Sequence, residues 1–175
     1  MALWVFGYGS LLWDPGFEVA ETQLATLAGY HRSFCMRSIH HRGTEKEPGL
    51  VLALDEKEGA QCTGLALKAA PGTEEATLSY LRERELISSA YVERHVPLEF
   101  KAGGGAEALA YVINREHWQY CNDVPLEEQA QIIASAVGGR GPNTEYLWNT
   151  TSHLAALGIQ DTDLEWLAER VRALA

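Results

Sequence analysis

Short apolar segments separated by polar stretches dominate the first part of the chain. Residues 3–6 form a compact run of bulky residues, and residues 50–54 and 61–67 are apolar runs on either side of a polar segment at 56–59. Compact or alternating apolar runs bounded by turn residues predict strands. We therefore expect a first strand at residues 3–6, one or two strands within residues 23–37, and a hairpin formed by the two later runs.

Helical patterns become more frequent further along the chain. A helix is predicted over residues 73–86, because Thr73 can cap it and two acidic residues follow in its first turn. A second hairpin is expected from residues 91–100 and 108–113, which flank three consecutive glycines. Asn143 is a candidate helix cap, and the tryptophans at 118, 148 and 166 are expected on packed faces. Three more helices are predicted, at residues 126–137, 144–157 and 164–174, the last capped by one of residues 161–163.

This order of elements, with strands first and helices mostly later, predicts an α+β protein. At 175 residues the chain fits a single domain covering residues 1–175, long enough to bury a core. The net charge of −10 argues against nucleic acid or an anionic membrane as a general partner. A run of about 18 apolar residues, which a membrane span needs, is absent from the sequence.

The three cysteines are an odd number without the spacing of a disulfide framework, which is typical of reduced thiols in a cytoplasmic protein. No charged leader with an apolar core is present at the start, so no signal peptide is expected. We expect a cytoplasmic monomer whose partner is a small molecule.

Residues 7–11 follow the first predicted strand and contain two glycines around Tyr8. A loop of this kind can point several backbone N–H groups at one bound oxyanion or carboxylate. The dinucleotide, phosphate-loop and nucleophile-elbow spacings are all absent, because position 12 is Leu, no Gly-Lys-Ser/Thr occurs, and Ser10 is not flanked by glycines two residues away. The pattern leaves two interpretations open: a ligand-binding loop, or a turn that only ends the strand.

Two acidic residues on the helix predicted at 73–86 are candidates for a general base. Glu85 shares an arc of the helix with Leu78 and Leu81, whereas Glu83 falls on a second stripe with Tyr80. Burial raises the pKa of a carboxyl group toward the range in which it works as a base. Periodicity does not choose between the two residues, nor does it exclude that both are solvated surface acids.

His40 and His41 are adjacent and could suggest a metal site. Neighbouring residues on a strand point to opposite faces, so the two make a poor chelating pair. No Cys-His spacing elsewhere in the sequence supports a metal centre. We expect no metal site.

Four segments of the chain, in order, resemble the ChaC family, the glutathione-specific γ-glutamylcyclotransferases. The resemblance covers most of the chain, and the four segments together are far more specific than any one of them. It implies a small mixed β-barrel with helices packed around it. The segments are Val5-Phe6-Gly7-Tyr8-Gly9-Ser10-Leu11-Leu12-Trp13, Arg32-Ser33-Phe34 with Ser38-Ile39-His40-His41-Arg42-Gly43, Tyr80-Leu81-Arg82-Glu83-Arg84-Glu85, and Asn143-Thr144-Glu145-Tyr146-Leu147.

The resemblance implies a lyase that cleaves glutathione to 5-oxoproline and cysteinylglycine. The α-amine of the substrate attacks its own γ-carbonyl, so the reaction requires no protein nucleophile, metal or cofactor. Two alternatives are a cyclotransferase for other γ-glutamyl amino acids or amines, and a non-catalytic regulator of cation transport, as the family's historical name suggests. The intact loop at 7–11 together with Glu85 argues against the regulator, because a protein that has lost catalysis need keep neither.

The resemblance also implies roles for individual residues. It selects Glu85 as the catalytic base, since Glu85 follows an arginine at the family's distance from the Tyr80-Leu81 pair. The backbone of residues 8–11 would hold the γ-glutamyl group and stabilise the oxyanion. Arg32, Arg37 and Arg42 are candidates for binding the glycine carboxylate. The implied substrate-binding residues are Val5, Phe6, Gly7, Tyr8, Gly9, Ser10, Leu11, Ser38, Arg42, Tyr91 and Tyr146.

Overall fold

The computed structural model describes residues 2–86 and 88–175. The chain divides into two compact units, each assembled from separate stretches of sequence. Unit 1 consists of the chain up to Arg32 and of Ala53–His117. Unit 2 consists of Ser33–Leu52 and Trp118–Ala175.

Unit 1 contains the pairings of a closed five-stranded barrel with the strand order β1-β3-β2-β4-β5. Val5 of the first strand pairs with Leu109 of the fifth, which closes the barrel. The fourth and fifth strands form the predicted antiparallel hairpin. With the helices, the barrel confirms the expected mixed α+β fold. The strands are β1 (Trp4–Gly7), β2 (Val19–Ser38), β3 (Gly49–Ala69), β4 (Tyr91–Phe100) and β5 (Gly105–Ile113).

Large side chains fill the interior of unit 1. Phe6, Leu54 and Tyr111 are among those with almost no exposed surface. Full burial of such side chains contributes about 1.5–3 kcal/mol each. A Cβ atom at Gly64 of β3 would collide with the carbonyl oxygen of Gly7. The absence of a side chain at Gly64 therefore lets β3 approach β1 at the start of residues 7–11, called the glycine loop below.

Helix α1 (Glu74–Glu85) belongs to unit 1 and confirms the prediction for residues 73–86. Thr73 occupies the N-cap position, although its hydroxyl donates to the carbonyl oxygen of Ala70 at 2.7 Å and makes no capping bond to the helix. Thr77 and Leu81 face the interior. Glu85, the last residue of the helix, lies one turn after Leu81 and therefore on the same side of the helix as Leu81.

Unit 2 contains three helices, α2 (Leu126–Ser135), α3 (Asn143–Ala156) and α4 (Thr162–Leu174). Two two-residue strands, β6 (Val137–Gly138) and β7 (Gly141–Pro142), pair between α2 and α3. Asp161 caps α4 as predicted, since its carboxylate accepts a hydrogen bond from the Leu164 N–H at 3.2 Å. Ile133, Leu147 and Leu167 are fully buried in this unit.

The directions of the pairings support the hairpin predicted around residues 56–59, although β3 is one continuous stretch of extended backbone. Residues 65–68 run antiparallel to β1, β1 runs parallel to β5, and Leu54 pairs in parallel with Val112 of β5. The two halves of β3 therefore run in opposite directions, so the chain reverses between them. Gly59, at a φ of +80°, lies between the two halves, in the segment predicted to turn. The one or two strands expected within residues 23–37 are one strand, β2.

Two further expectations are wrong for local reasons. Pro142, not Asn143, occupies the N-cap position of α3. Trp118 lies in the turns after β5 and is 66% exposed. Trp166 is also exposed, because α4 buries its other face through residues such as Leu164 and Leu167. Trp148 is half-buried.

Candidate active site

The loop after β1 turns at once into a short 3-10 helix, Ser10–Leu12. Its first hydrogen bond runs from the Leu12 N–H to the carbonyl oxygen of Gly9 at 3.0 Å, and the Asp14 N–H donates to Ser10 O at 2.8 Å. The N–H groups of residues 9–11 precede that first bond, so the turn itself supplies them with no acceptor. The loop thus has the backbone donors that an anionic oxygen requires.

Two side chains of unit 1 fix the main chain at Tyr8. The Tyr8 hydroxyl donates to the carbonyl oxygen of Tyr111 at 2.8 Å. The buried guanidinium of Arg32 donates to the Tyr8 carbonyl oxygen at 2.5 Å and to that of Thr63. These described contacts of Arg32 are with the backbone of the loop and of β3. Its expected binding of the glycine carboxylate stays a prediction.

Glu85, the expected base, lies at the C-terminal end of α1 with 14% of its side chain exposed. Glu83 is exposed. The helix therefore buries the acid that shares an arc with Leu81, a choice that periodicity left open. An oxygen of the Glu85 carboxylate lies 3.4 Å from Nε of Arg84. A largely buried carboxylate beside a cation is the kind of group expected at a reactive site. Its role as the base stays a prediction.

Arg84 contacts both the glycine loop and the candidate base. Its Nη2 donates to Ser10 Oγ at 3.1 Å, and its Nη1 donates to the carbonyl oxygens of Asp14 at 2.6 Å and Pro15 at 3.3 Å. Ser10 and Glu85 are far apart in sequence, yet they contact the same guanidinium group. Two segments singled out in the sequence therefore lie together in unit 1.

A second carboxylate, Glu93 of β4, forms a network beside these groups. It accepts hydrogen bonds from the Tyr111 hydroxyl at 3.0 Å and from two nitrogens of Arg82 at 3.0 and 3.1 Å. The hydrogen bond from Arg82 is the main cause that lowers the pKa of Glu93. Burial, followed by the charges of Glu93 and Glu85, raises the pKa of Tyr111, so its hydroxyl keeps its proton at neutral pH.

Glu93 and Tyr111 are not among the site residues predicted from the sequence. The two residues are directly opposite each other in the β4–β5 hairpin. Because residues opposite each other in an antiparallel pair have neighbouring side chains, the register of the predicted hairpin would have placed them together. The sequence alone did not give that register.

The remaining expected ligands in unit 1 differ in what they can offer. Val5, Phe6 and Leu11 are buried, so their side chains belong to the core and only their main chain can reach a ligand. Tyr91 is the first residue of β4, opposite Ile113, and is half-buried. Substrate contacts from all four residues stay predictions.

In unit 2 the structure brings Ser38, Arg42 and Tyr146 together. The Arg42 N–H donates to Ser38 Oγ at 3.0 Å, and the guanidinium lies 5.8 Å from the centre of the Tyr146 ring. The same guanidinium donates to the carbonyl oxygen of Pro142 at 3.1 Å and to Glu145 at 3.4 Å. Arg42 thereby holds the start of α3.

The first turn of α3 also pairs with the start of β3. The side chain of Asn143 accepts from the Leu50 N–H and donates to the Leu50 carbonyl oxygen, both at 2.8 Å. The Tyr146 hydroxyl accepts from the Leu52 N–H at 3.1 Å. Asn143 and Tyr146, one turn apart on α3, thus form hydrogen bonds with residues 50 and 52 of β3, as a neighbouring strand would. Asn143, expected as a helix cap, thus serves β3, a contact that was not predicted from the sequence.

Glycines allow backbone segments of unit 2 to approach closely. A Cβ atom at Gly138 would collide with backbone atoms of His41, Arg42 and Gly43. The Gly139 N–H donates to the His40 carbonyl oxygen at 2.7 Å. The expected ligand Arg42 therefore lies in a loop that is packed backbone to backbone, and Ser38 ends the strand that leads into it.

Residues 2–86 and 88–175 contain neither a membrane-spanning helix nor a metal-binding cluster. In this part of the chain no helix is long and apolar enough to cross a membrane. No group of three or more histidine, cysteine or acidic side chains there is arranged to hold a metal ion.

Comparisons with known proteins agree on one family. The family model described as ChaC-like protein matches residues 3–174. The glutathione-specific gamma-glutamylcyclotransferase of Escherichia coli (strain K12) is 38% identical over 172 residues, covering 98% of this chain and 74% of the relative. The human glutathione-specific gamma-glutamylcyclotransferase 1 is 33% identical over 175 residues, covering 99% and 78%.

Solved structures confirm the expected fold. A gamma-glutamyl cyclotransferase specific to glutathione from yeast matches with a TM-score of 0.88 at 22% identity, covering 98% of this chain and 96% of that one. A second structure, described as gamma-glutamyl cyclotransferase, matches with a TM-score of 0.60 at 16% identity, covering 95% and 86%. At these identities the likeness concerns the fold.

Proposed function

This chain belongs to the ChaC family, and from that membership and the geometry of unit 1 we propose that it cleaves glutathione to 5-oxoproline and cysteinylglycine. The observation that carries the proposal is the contact of Arg84 with both Ser10 and Glu85. It joins a loop with backbone donors to a largely buried carboxylate. A reaction in which one part of the substrate attacks another needs both features: a binding loop and a base.

The reaction requires proton transfers at two nitrogen atoms. Glu85 removes a proton from the α-ammonium group of the substrate, and the freed amine attacks the γ-carbonyl carbon. The new C–N bond closes the five-membered ring of 5-oxoproline. After the attack the ring nitrogen still carries two hydrogens, so it loses a second proton. Both protons pass to the cysteine nitrogen as its bond to the γ-carbon breaks, the first from Glu85 and the second by the same route. Cysteinylglycine thus leaves as an ammonium, Glu85 returns to its carboxylate form, and no water is consumed. A positioned acid and base contributes typically about 10²–10⁴-fold to the rate.

The glycine loop supplies the second contribution. The N–H groups of residues 9–11 would donate to the γ-carbonyl oxygen, on which negative charge develops during the attack. Donors already fixed in place need little reorganisation, and Tyr8 is anchored through Tyr111 and Arg32. Holding the γ-glutamyl chain in a folded conformation brings the amine close to the carbonyl carbon.

Several finer assignments belong to the same proposal. Ser38, Arg42, Tyr91 and Tyr146 are proposed as substrate-binding residues because the ChaC resemblance implies them. A single functional domain is proposed for residues 1–175, and it is supported by a family match that extends over residues 3–174. The monomeric state, the cytoplasmic location and the lack of nucleic-acid partners stay predictions from the sequence.

Product formation tests the proposal. Purified protein is incubated in parallel with glutathione and γ-glutamyl-alanine, and 5-oxoproline is measured by mass spectrometry. We expect 5-oxoproline and cysteinylglycine in equal amounts from glutathione, and slower turnover of γ-glutamyl-alanine. Faster turnover of γ-glutamyl-alanine would show that glutathione is not the preferred substrate. Binding of both compounds without any product would favour the non-catalytic regulator.

A further inference from the structure

The guanidinium group of Arg84 uses each of its three nitrogen atoms for a different neighbour. Nη2 donates to Ser10 Oγ, and Nε lies 3.4 Å from the Glu85 carboxylate. Nη1 donates to the carbonyl oxygen of Asp14 and to the Tyr80 hydroxyl, the latter at 3.1 Å. Only 10% of the Arg84 side chain is exposed. In such a position the hydrogen bonds are stronger than they are in water.

A guanidinium group is planar and rigid, so contacts at two of its nitrogens fix their acceptors relative to each other. At Arg84 these neighbours are the hydroxyl of Ser10, which accepts a hydrogen bond, and the carboxylate of Glu85, which lies at ion-pair distance. A lysine could supply the same charge at one point, but it could not hold two acceptors at a fixed spacing. The geometry therefore suggests a role that depends on the shape of the side chain as well as on its charge.

We propose that Arg84 is a positioning residue that sets the distance between the Glu85 carboxylate and the glycine loop at Ser10. The inference rests on the proposed function, in which the loop holds the γ-glutamyl group and Glu85 removes the proton from its α-ammonium group. Because one rigid group orients both, Arg84 determines how far the proton must travel. Arg84 acts through these two neighbours and needs no contact with the substrate.

The surroundings of Arg84 support this role. A Cβ atom at Gly16 would collide with the Tyr80 hydroxyl, so the lack of a side chain there makes room for the tyrosine against Arg84. Gly16 also adopts a φ of +76°, which other residues rarely do. The turn at residues 14–16 and the tyrosine together form a seat that limits the orientations of the guanidinium.

The test compares steady-state kinetics of Arg84→Lys and Arg84→Gln with those of the wild type on glutathione. We expect kcat to fall by about 10²-fold in both variants, since a misplacement of about 1 Å can cost that much. KM should change by less than about threefold, because the backbone donors of the loop remain. Recovery of wild-type kcat by lysine would show that only the charge matters and would overturn the proposal.

Two other variants calibrate the effect. Tyr80→Phe removes one acceptor of Arg84 that belongs neither to the loop nor to the base. It keeps the aromatic ring and the carbonyl acceptors at residues 14 and 15, so it should lower kcat by less than about threefold. Arg170→Lys changes an arginine of α4 that pairs with Glu127, and its kinetics should equal those of the wild type. A loss in Tyr80→Phe as large as that in Arg84→Lys would indicate general damage to α1 and would contradict a specific link to Glu85.

Ser10→Ala provides a second route to the same answer. If Arg84 acts by linking Ser10 to Glu85, the double variant Ser10→Ala with Arg84→Lys should be no slower than Arg84→Lys alone. Effects that simply multiply would contradict the link. Hydrogen exchange without substrate adds a readout independent of turnover: the N–H groups of Leu12 and Asp14 should exchange about tenfold faster in Arg84→Lys.

The outcomes separate this inference from the proposed function. If the wild type forms no 5-oxoproline from any γ-glutamyl compound tested, the proposed function fails and the positioning role fails with it. If the wild type is active while Arg84→Lys keeps its kcat and its exchange rates, only the positioning role fails. Thermal unfolding of each variant checks that the loss of rate does not reflect loss of fold.

Discussion

Each unit contains a loop region held by an arginine, but the carboxylates beside the two arginines differ in exposure. In unit 1, Arg84 contacts Ser10 and Glu85, and 14% of the Glu85 side chain is exposed. In unit 2, the guanidinium of Arg42 donates to the carbonyl oxygen of Pro142 and to Glu145, whose side chain is 52% exposed. The neighbouring Asn143 pairs with backbone.

This difference indicates which region carries chemistry and which carries stability. A buried polar side chain that bonds to backbone atoms stabilises the fold, because its removal leaves those backbone groups without a hydrogen bond. A carboxylate beside an arginine, at the end of a helix and partly open to solvent, can still exchange a proton. We therefore expect substitutions in the Arg84 region to reduce turnover and substitutions around Asn143 to reduce stability.

The largest expected effect is on turnover, from Glu85→Gln. Losing the proposed base should lower kcat by about 10²–10⁴-fold. The change keeps the side-chain volume, so the thermal unfolding midpoint should stay near that of the wild type. Glu83→Gln, an exposed position on the same helix, is the matched control and should retain its kcat. Equal losses of kcat in Glu85→Gln and Glu83→Gln would show that the effect is not specific to Glu85.

Asn143→Ala should have the largest effect on stability. It leaves both the N–H and the carbonyl group of Leu50 without their partners, and each unsatisfied buried group costs about 1–3 kcal/mol. We expect the free energy of unfolding, measured with urea, to fall by about 2–5 kcal/mol. Asn122→Ala, an exposed position in the same unit, should stay within about 0.5 kcal/mol. An unchanged Asn143→Ala would show that the backbone of β3 does not need this pairing.

Tyr146→Phe sharpens the comparison, because the residue has a structural contact and a proposed substrate role. Removing the hydroxyl that accepts from the Leu52 N–H should lower the free energy of unfolding by about 1–3 kcal/mol. If the hydroxyl also binds substrate, KM for glutathione should rise about tenfold, equivalent to one lost hydrogen bond. Lower stability with an unchanged KM would remove Tyr146 from the proposed site and leave it a structural residue.

The smallest expected effect concerns Glu93 and acid pH. The folded protein lowers the pKa of Glu93, mainly through the hydrogen bond from Arg82, so the stabilisation is complete above the unfolded pKa. It is lost as pH falls through the lower, folded pKa. Unfolding midpoints of the wild type and Glu93→Gln, measured from pH 7 down to pH 3, should therefore converge at low pH. Parallel curves would show that this ion pair adds no pH-dependent stability.

Local signals predicted most of the helices and the second hairpin. Thr73 marks the start of α1 and Asp161 caps α4, both at positions that the sequence indicated. The neighbours of β3 in the barrel could not be predicted in this way. Which other strands its two halves join depends on residues far away in sequence, such as Val112, which pairs with Leu54.

The candidate site was only partly predictable, because some of its contacts join residues that are far apart in sequence. The loop at residues 7–11 and Glu85 stood out through the family resemblance, and burial then separated Glu85 from Glu83. Nothing local indicates that Arg84 reaches Ser10. Asn143 reads as a cap because asparagine is favoured at helix N-termini, yet its pairing with Leu50 determines its position.

The most direct test of the proposed chemistry is to let the wild type and Glu85→Gln act on glutathione in ¹⁸O-labelled water and to analyse the products by mass spectrometry. Attack by the substrate's own amine uses no water, so the wild type should release 5-oxoproline and cysteinylglycine without ¹⁸O, and Glu85→Gln should release almost none. Glutamate carrying ¹⁸O would show that water is the nucleophile. That result, or unlabelled 5-oxoproline formed at the wild-type rate by Glu85→Gln, would contradict the mechanism.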